Sequence, residues 1–586
     1  MARPRSKAGR EAAAAAEAVV NRLENMTRPG VEEHNSRVRR FNRAYQVWRG
    51  PVSPQVRTGP NSWRSRLHVK YGMQIVDQAS ANLAEGIPSV RCLPRRPGDE
   101  GAAEALDNVL NYFADLDHLP EKELPVTQNA LIYAVSAGKV DWCYAEEDGR
   151  IVEDRPRFTP WDPYNIWWDP YADTVDSASY VCLRSYLTKT ELEKLRYHPG
   201  EGDEGGYGSY RNLDLLYESG DAPTPDQTQQ NRLLQPPAGL LRDRFEIVET
   251  WWESPAGLQC SVVGNRKVLL RDGPSPYKMR SKPVVISNSR PDLFRIEGIA
   301  ETELIDDLQR ALNEITQLRV DQMKMTVLRG ATVRETTPDI RQLVFRPGFL
   351  WPVQDHDDVK MVEPGSLPPE AYKEDEVLLG RMQYISGITP YISGSSAAGA
   401  VDQGTATGTT LLTQNASKLL QLKAQVIHNK TWQRVFEQWG ELSRQFLGDG
   451  TAVRILGPKQ EVSWKIYTRE DINGSVDVKL EAGERSATVQ QARAEIIQLL
   501  QTLAPFAAEG LVNLRPVLEK VAKLWGFLSP EELVPQPGPA QQSAAPNGQG
   551  GDPTQVDGAM VGEQGATSGG QIVGLPALSV LAGNQR

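Results

Sequence analysis

Two helical patterns joined by a short β-rich segment, over 301–325 and 369–387, constrain this chain more than any other feature. The first reads ETELIDDLQRALNEITQLRVDQMKM, with Leu304, Leu308, Leu312, Ile315, Arg319 and Gln322 on one face at helical spacing. Glu301, Glu303, Asp306 and Asp307 sit in its first turns, and Arg319 and Lys324 near its far end, as the helix dipole favours. The apolar stripe stops two turns early. A helix roughly 35–40 Å long with so little apolar surface is either exposed or packed against copies of itself. The segment 326–367 is short, β-rich and closed by Pro and Gly, and the second helix, PEAYKEDEVLLGRMQYISG, ends at Gly387. Residues 388–408, ITPYISGSSAAGAVDQGTATG, have Asp402 as their one charged residue. A stretch of that length without a pattern is functional or disordered.

From Thr409 to Phe446 runs the longest helical pattern in the chain. Leu412, Leu419, Leu422 and Val426 mark one stripe; Trp432, Val435, Phe436, Trp439, Leu442 and Phe446 continue it, slightly rotated. Thr409 or Thr410 suits the N-cap and Gly448 the C-cap. Upstream, 1–27 is expected as a mobile arm, with a helix from about Val31 to Gly50-Pro51 and a second from Leu67 to Glu85. Helices follow in EALDNVLNYFADL and VTQNALIYAVSAG, then a strand, KVDWCYAEE. Residues 151–190 are β- and turn-rich, and 199–240 form an exposed Gly-, Gln- and Pro-rich insertion. Strands resume in RFEIVETWWES, LQCSVVG and RKVLLRDG, and later in VSWKIYTRED and SVDVKLEAG. Helices over 487–507 and 513–526 precede a tail that has no means of making a core. The class is α+β.

Net charge is −10, which argues against a protein that grips DNA by neutralising phosphates, though not against a channel through which DNA slides. Arg37, Arg39, Arg40, Arg43, Arg49, Arg57, Arg64 and Arg66 crowd one stretch; a solvated or inter-subunit face accounts for them, with nucleic-acid contact the alternative. No apolar run approaches the ~20 residues a membrane helix needs. Cys92, Cys143, Cys182 and Cys260 lack ligand spacing and read as reduced core thiols, so no metal or other cofactor is expected. There is no phosphate-cradling GxxxxGK[ST], no HExxH and no GxSxG. Asp162 and Asp169 in WDPYNIWWDP could suggest a glycosidase, but their flanking prolines point to turn capping. Trp161, Tyr164, Trp167, Trp168 and Tyr171 read as core around tight turns, with a stacking platform the alternative.

The order of elements from about Asn288 to Gly448 resembles the portal proteins of tailed bacteriophages. GIAETELIDDLQRALNEI resembles the run that opens the family's descending stem helix, Gly387-Ile388-Thr389-Pro390 its exit from the rising helix, and Gly404-Thr405-Ala406-Thr407 the step into its long helix; FNRAYQVWRG also looks portal-like. The resemblance implies a flexible arm (1–27), a wing (28–290), a descending stem helix (291–325), an α/β clip (326–367), a rising stem helix (368–388), a tunnel loop (389–408), a wing helix with strands (409–482), crown helices (483–534) and a disordered tail (535–586). It implies no enzyme, but a homo-oligomeric ring, usually a dodecamer, at one vertex of the virion. Double-stranded DNA would pass through the ring; terminase and the head–tail adaptor would dock on the clip, and capsid and scaffolding protein would meet the outside. On that basis the channel-facing residues are Ser393, Ser395, Ser396, Val401, Asp402 and Gln403, and the docking residues Arg334, Glu335, Arg341, Asp355, Asp357 and Asp358. Competing assignments are a hydrolase of cell-wall glycans and a minor head or adaptor protein.

Overall fold

One helix, α1 (Lys7–Arg49), takes up most of the first fifty residues in a computed structural model of the chain. The structure describes residues 7–480 except 52–58, 60–61, 85–88, 148–149, 197–209, 221–243, 328–330, 335–354, 356–358, 363–364, 366–369, 389–417, 449–450 and 457–461. The expectation of a mobile arm over 1–27 does not hold for 7–27. Val20 and Leu23 bury themselves against Val263, flanked by Trp252 and Leu269, and the Arg22 guanidinium stands 5.1 Å from the centre of the Trp252 ring. The helix expected from about Val31 thus begins at Lys7 and runs through Pro29-Gly30. The Gly30 amide donates to the Tyr180 hydroxyl at 3.0 Å, and a Cβ there would lie 2.7 Å from the Trp168 carbonyl oxygen. Close approach to the sheet, not a turn, explains that glycine.

Helices α2 (Tyr71–Leu83), α3 (Glu100–Leu116) and α4 (Leu119–Tyr133) follow, with β1 (Val90–Pro94) between the first two. The long hairpin of β2 (Ser136–Glu147) and β3 (Arg150–Trp161) gains β9 (Val284–Ser287) as a third antiparallel strand on β2. Strands β4 (Ile166–Trp168), β5 (Tyr180–Thr188), β6 (Arg244–Ser254), β7 (Gly257–Gly264) and β8 (Val268–Pro274) form a five-stranded antiparallel sheet in that order. Short helices α5 (Lys189–Glu193) and α6 (Leu213–Glu218) lie between β5 and β6. Part of the expected exposed insertion is therefore core: Tyr210, Leu213 and Leu216 are buried, and the Tyr210 amide bonds the Leu195 carbonyl at 2.6 Å.

Next come α7 (Glu301–Val327), the small ladder of β10 (Ala331–Val333) with β11 (Val359–Met361), and α8 (Glu370–Ser386). Helix α9, described over 418–446, contains a π-helical turn at His428–Trp432. That wide turn rotates the buried face beyond it relative to the one before it, because a surplus residue swings that face by about 100°; the first stripe expected from the sequence is not the buried one. Beyond it Trp432, Val435, Phe436, Trp439 and Leu442 are buried as the pattern requires; before it the buried positions are Leu420, Lys423, Ala424 and Ile427, while Leu422 is exposed. Trp432 meets Phe158 edge-on at 5.5 Å, so α9 packs across the β2–β3 hairpin. Gly138 lies under the same ring, where a Cβ would stand 2.1 Å from Phe158. Strands β12 (Thr451–Leu456) and β13 (Val462–Tyr467) pair with each other, and β14 (Val476–Leu480) returns to β1. The architecture is mixed helix and sheet, as expected. The crown helices and the tail lie outside the described residues.

His34 on α1 carries a pH dependence. Its Nε2 lies 3.1 Å from the Tyr164 carbonyl oxygen and its ring 5.7 Å from that of Trp167. Burial, with the nearby Arg184 and Arg37 charges, lowers its pKa from 6.5 to about 3. Below pH 6.5 the unfolded chain binds a proton that the folded chain refuses, so stability falls as pH drops through this window. The expected loss is roughly 2 kcal/mol by pH 5. Urea titrations of the wild type and His34→Gln should differ in slope between pH 6.5 and 5, with the variant flatter.

Candidate functional site

The α7–α8 hairpin is built differently from the leucine stripe read in the sequence. Leu312 is buried, but Leu304, Leu308 and Ile315 are only half-buried. The buried face also contains Glu301, Thr302, Asp306, Gln309 and Asp321. The reason is the segment 63–72, an irregular stretch ending in the first residues of α2, which lies along α7 and takes its hydrogen bonds from the helix side chains. The Gly72 amide donates to Gln309 Oε1 at 2.9 Å, and Gln309 Nε2 donates to the Val69 carbonyl at 2.6 Å. One turn on, the Val69 amide donates to Asn313 Oδ1 at 2.9 Å, and Asn313 Nδ2 lies 3.0 Å from His68 Nδ1. Gln317 Nε2 then donates to the Leu67 carbonyl at 2.9 Å, the Ser65 amide to Asp321 Oδ1 at 2.5 Å, and Lys324 Nζ to the Trp63 carbonyl at 2.8 Å. Positions 309, 313, 317 and 321 share a face by four-residue spacing, so one helical stripe satisfies backbone groups that would otherwise be stranded. A stripe of amides at that spacing is visible in the sequence; its partner, some 240 residues away, is not.

The top of the hairpin is fastened by buried charge. Glu301, in the first turn of α7, and Lys423, on α9, are side chains 1% and 2% exposed with Oε1 and Nζ 2.7 Å apart. Lys423 Nζ also donates to the Ser386 carbonyl at 2.8 Å, at the last residue of α8, and Arg290 Nη2 lies 3.4 Å from Glu301 Oε1. Burial lowers the Lys423 pKa, and Glu301 opposes that shift. Gly387 follows at φ +76°, the left-handed cap, with Leu419 so close that a Cβ would meet its Cδ2 at 2.8 Å. Lower down, Arg319 of α7 pairs with Asp375 of α8, and Gln322 Nε2 donates to the Gly365 carbonyl.

Of the early arginines, Arg37 is buried, and Arg40 and Arg43 pair with acids from the exposed side of α1. Arg37 Nε lies 2.9 Å from Glu297 Oε2, and its guanidinium stands 3.9 Å from the centre of the Trp168 ring. Arg40 bonds the same carboxylate at 3.0 Å, and Arg43 pairs with Asp306. The expectation of a solvated face fails for Arg37, which is buried; Arg39, Arg40, Arg43, Arg49, Arg64 and Arg66 are exposed, with Arg40 and Arg43 paired to acids of the same chain, and Arg57 lies outside the described residues.

The residues singled out as catalytic or stacking candidates serve turns and core. Asp162 accepts from the Tyr164 amide at 3.1 Å, and Asp169 from the Tyr171 amide at 3.1 Å and the Ser179 amide at 3.3 Å, so both acids cap turns. Tyr164, Trp167 and Trp168 are buried and Tyr171 is exposed, an arrangement of core and turn rather than a platform. Cys92, Cys182 and Cys260 are buried, Cys143 is half-buried, and none is in a disulfide. Burial pushes the Cys92 and Cys182 thiols up to about 12, away from reactivity at neutral pH. Among the described residues no cluster of His, Cys, Asp and Glu could hold a metal ion, and no helix is long and apolar enough to cross a membrane.

A family model described as phage SU10 portal protein matches residues 147–560, well over half of the chain and all of the hairpin just described. The chain belongs to that portal family. Among curated proteins none matches it. The family is structural rather than catalytic, in keeping with the turn-capping acids. Of the portal residues singled out by resemblance, Arg334 and Asp355 are described, and both are exposed beside the β10–β11 ladder. Glu335, Arg341, Asp357 and Asp358, and all six of Ser393, Ser395, Ser396, Val401, Asp402 and Gln403, lie outside the described residues.

Two outcomes test this construction. Glu301→Gln strands the Lys423 charge in the interior and should lower stability by about 3–5 kcal/mol in urea unfolding, with much of the loss recovered in Glu301→Gln/Lys423→Met. The pair Gln309→Ala/Asn313→Ala should speed amide exchange at Val69 and Gly72 while leaving that of α9 unchanged.

Proposed function

We propose that this portal protein forms a homo-oligomeric ring, a dodecamer, at one capsid vertex, and that double-stranded DNA passes through it during packaging and ejection. In this reading α7 and α8 are the stem, 326–367 the clip, 389–408 the tunnel loop, and α1–α6 with the sheets and α9 the wing. Terminase and then the head–tail adaptor dock on the clip, where Arg334, Glu335, Arg341, Asp355, Asp357 and Asp358 supply charges of both signs. Capsid and scaffolding protein meet the wing. Ser393, Ser395, Ser396, Val401, Asp402 and Gln403 face the DNA.

The observation that carries the reading is the stem hairpin itself, in a chain that belongs to a portal family. A single copy leaves Leu318, Met323, Val327, Val377 and Tyr384 of the hairpin exposed, a surface that neighbours in a ring would cover. The charge balance fits a conduit: a wall that bound many phosphates would hold the polymer still, whereas a segment with one charge in 388–408 lets it slide.

Purified protein should appear as rings with a central hole in negative-stain micrographs; a monodisperse monomer at all concentrations would refute the assignment. Deleting 393–403 should leave the rings intact and sharply reduce the DNA packaged per capsid, and normal packaging by that variant would remove the loop's role.

A further inference from the structure

We propose that neighbouring copies join through two different faces of the stem hairpin, the outer face of α8 in one copy seating on the free face of α7 in the next, with Arg381 against Glu314 and Val377 against Leu318. The inference rests on the ring reading above and names the surfaces that would close it.

Three faces of α7 are already accounted for: one binds the 63–72 segment, one meets α8, and the upper part of a third enters the core. What remains is a stripe of Asp307, Glu314, Leu318 and Met325, spaced by seven, four and seven residues and exposed throughout. Leu318 is 57% exposed. Asp307 is engaged by Arg310, but Glu314 enters no ion pair among the described residues. On α8 the side turned inward contains Leu378 and Met382, while Lys373, Glu374, Glu376, Val377, Gly380, Arg381 and Tyr384 face solvent. Val377 is 43% and Tyr384 84% exposed, and Arg381 too enters no ion pair among the described residues. The α7 stripe is acidic with apolar side chains; the α8 face sets Lys373 and Arg381 among Val377 and Tyr384, with Glu374 and Glu376 at its margins.

Their heights agree. Arg319 reaching Asp375 fixes the level of α8 against α7. Rotation about an axis along the stem leaves heights unchanged, so residues that share a level within one chain share it between neighbours. Side chains lean toward their own helix N-terminus, upward on α7 and downward on α8, which are antiparallel. Counted at 1.5 Å per residue from the Arg319–Asp375 tie, that lean brings Arg381 to Glu314 and Val377 to Leu318.

Gly380 is the independent sign. It sits in the middle of an exposed helix, where glycine weakens the helix, and nothing lies within 4 Å of the Cβ it lacks. No contact within the chain requires it, whereas a neighbour's helix approaching closely would. Because the two complementary patches differ, the contact is heterologous: each copy has one of each to offer, and the chain of contacts closes as a ring instead of ending in a dimer.

The test is charge reversal in the full-length protein, with ring fraction read by sedimentation velocity and negative stain. Arg381→Glu and Glu314→Arg should each lower the ring fraction by about tenfold, and the double variant should restore it to within about twofold of wild type. Gly380→Leu should also abolish rings. Since that change strengthens the isolated helix, an unchanged or raised melting temperature of the monomer rules out misfolding as the cause. Rings that survive either single reversal, or a double variant that fails to recover, would overturn this interface while leaving the ring reading intact. A wild type that forms no ring sinks both.

Discussion

Glu301 and Lys423 are the point on which the stem depends. Each is a charge removed from water, which is costly for one alone and tolerable only because the two lie 2.7 Å apart with further partners in the Arg290 guanidinium and the Ser386 carbonyl. Three parts of the chain converge there: the start of α7 at Glu301, the end of α8 at Ser386 and the first described turns of α9 at Lys423. Apolar packing at that junction would hold the pieces as firmly but would tolerate sliding. A buried pair with one good geometry fixes how the hairpin leaves the body, and the 63–72 segment then holds α7 along its length by hydrogen bonds in place of a second apolar layer.

That choice of polar fastening bears on how a ring subunit can exist at all. A stem helix buried on every side by leucines would need its neighbours in order to be soluble. Gln309, Asn313, Gln317 and Asp321 instead satisfy a passing backbone, and the large apolar side chains left exposed on α7 are Leu318, Met323, Met325 and Val327. Charges at the end of α1 follow the same logic. Glu297 gathers Arg37, Arg40 and Arg295 around one carboxylate, so part of that basic run is tied to an acid of the chain that makes it.

Local patterns were legible in the sequence where the cause is local. The second stripe of α9, the cap glycine at 387 and the turn-capping roles of Asp162 and Asp169 all follow from residues within a few positions of one another. The start of the first helix, expected near Val31, was misplaced because the groups that hold α1 upstream of it lie far along the chain: Tyr180, whose hydroxyl accepts from the Gly30 amide, and Val263. The leucine stripe of α7 misled for a related reason: periodic leucines announce a buried face only if the competing polar face has nothing to bind, and here it binds 63–72. The arginines of α1 could not be matched to Glu297 and Asp306 from one sequence, since nothing in their spacing marks partners so far along the chain. The family itself was legible from the order of its elements, which survives when individual contacts cannot be foreseen.

The wide turn at His428–Trp432 has a consequence for the geometry of the whole rod. Beyond it, Trp432, Phe436 and Trp439 screw α9 into the hairpin of β2 and β3; before it, Lys423 is aimed at Glu301. A uniform helix could not satisfy both anchors, because one of them would face the wrong way by about 100°. The surplus residue acts as a phase shifter between two gears cut to different pitches, and removing a single amino acid from that turn would put the two halves of the rod out of step without touching any contact in either.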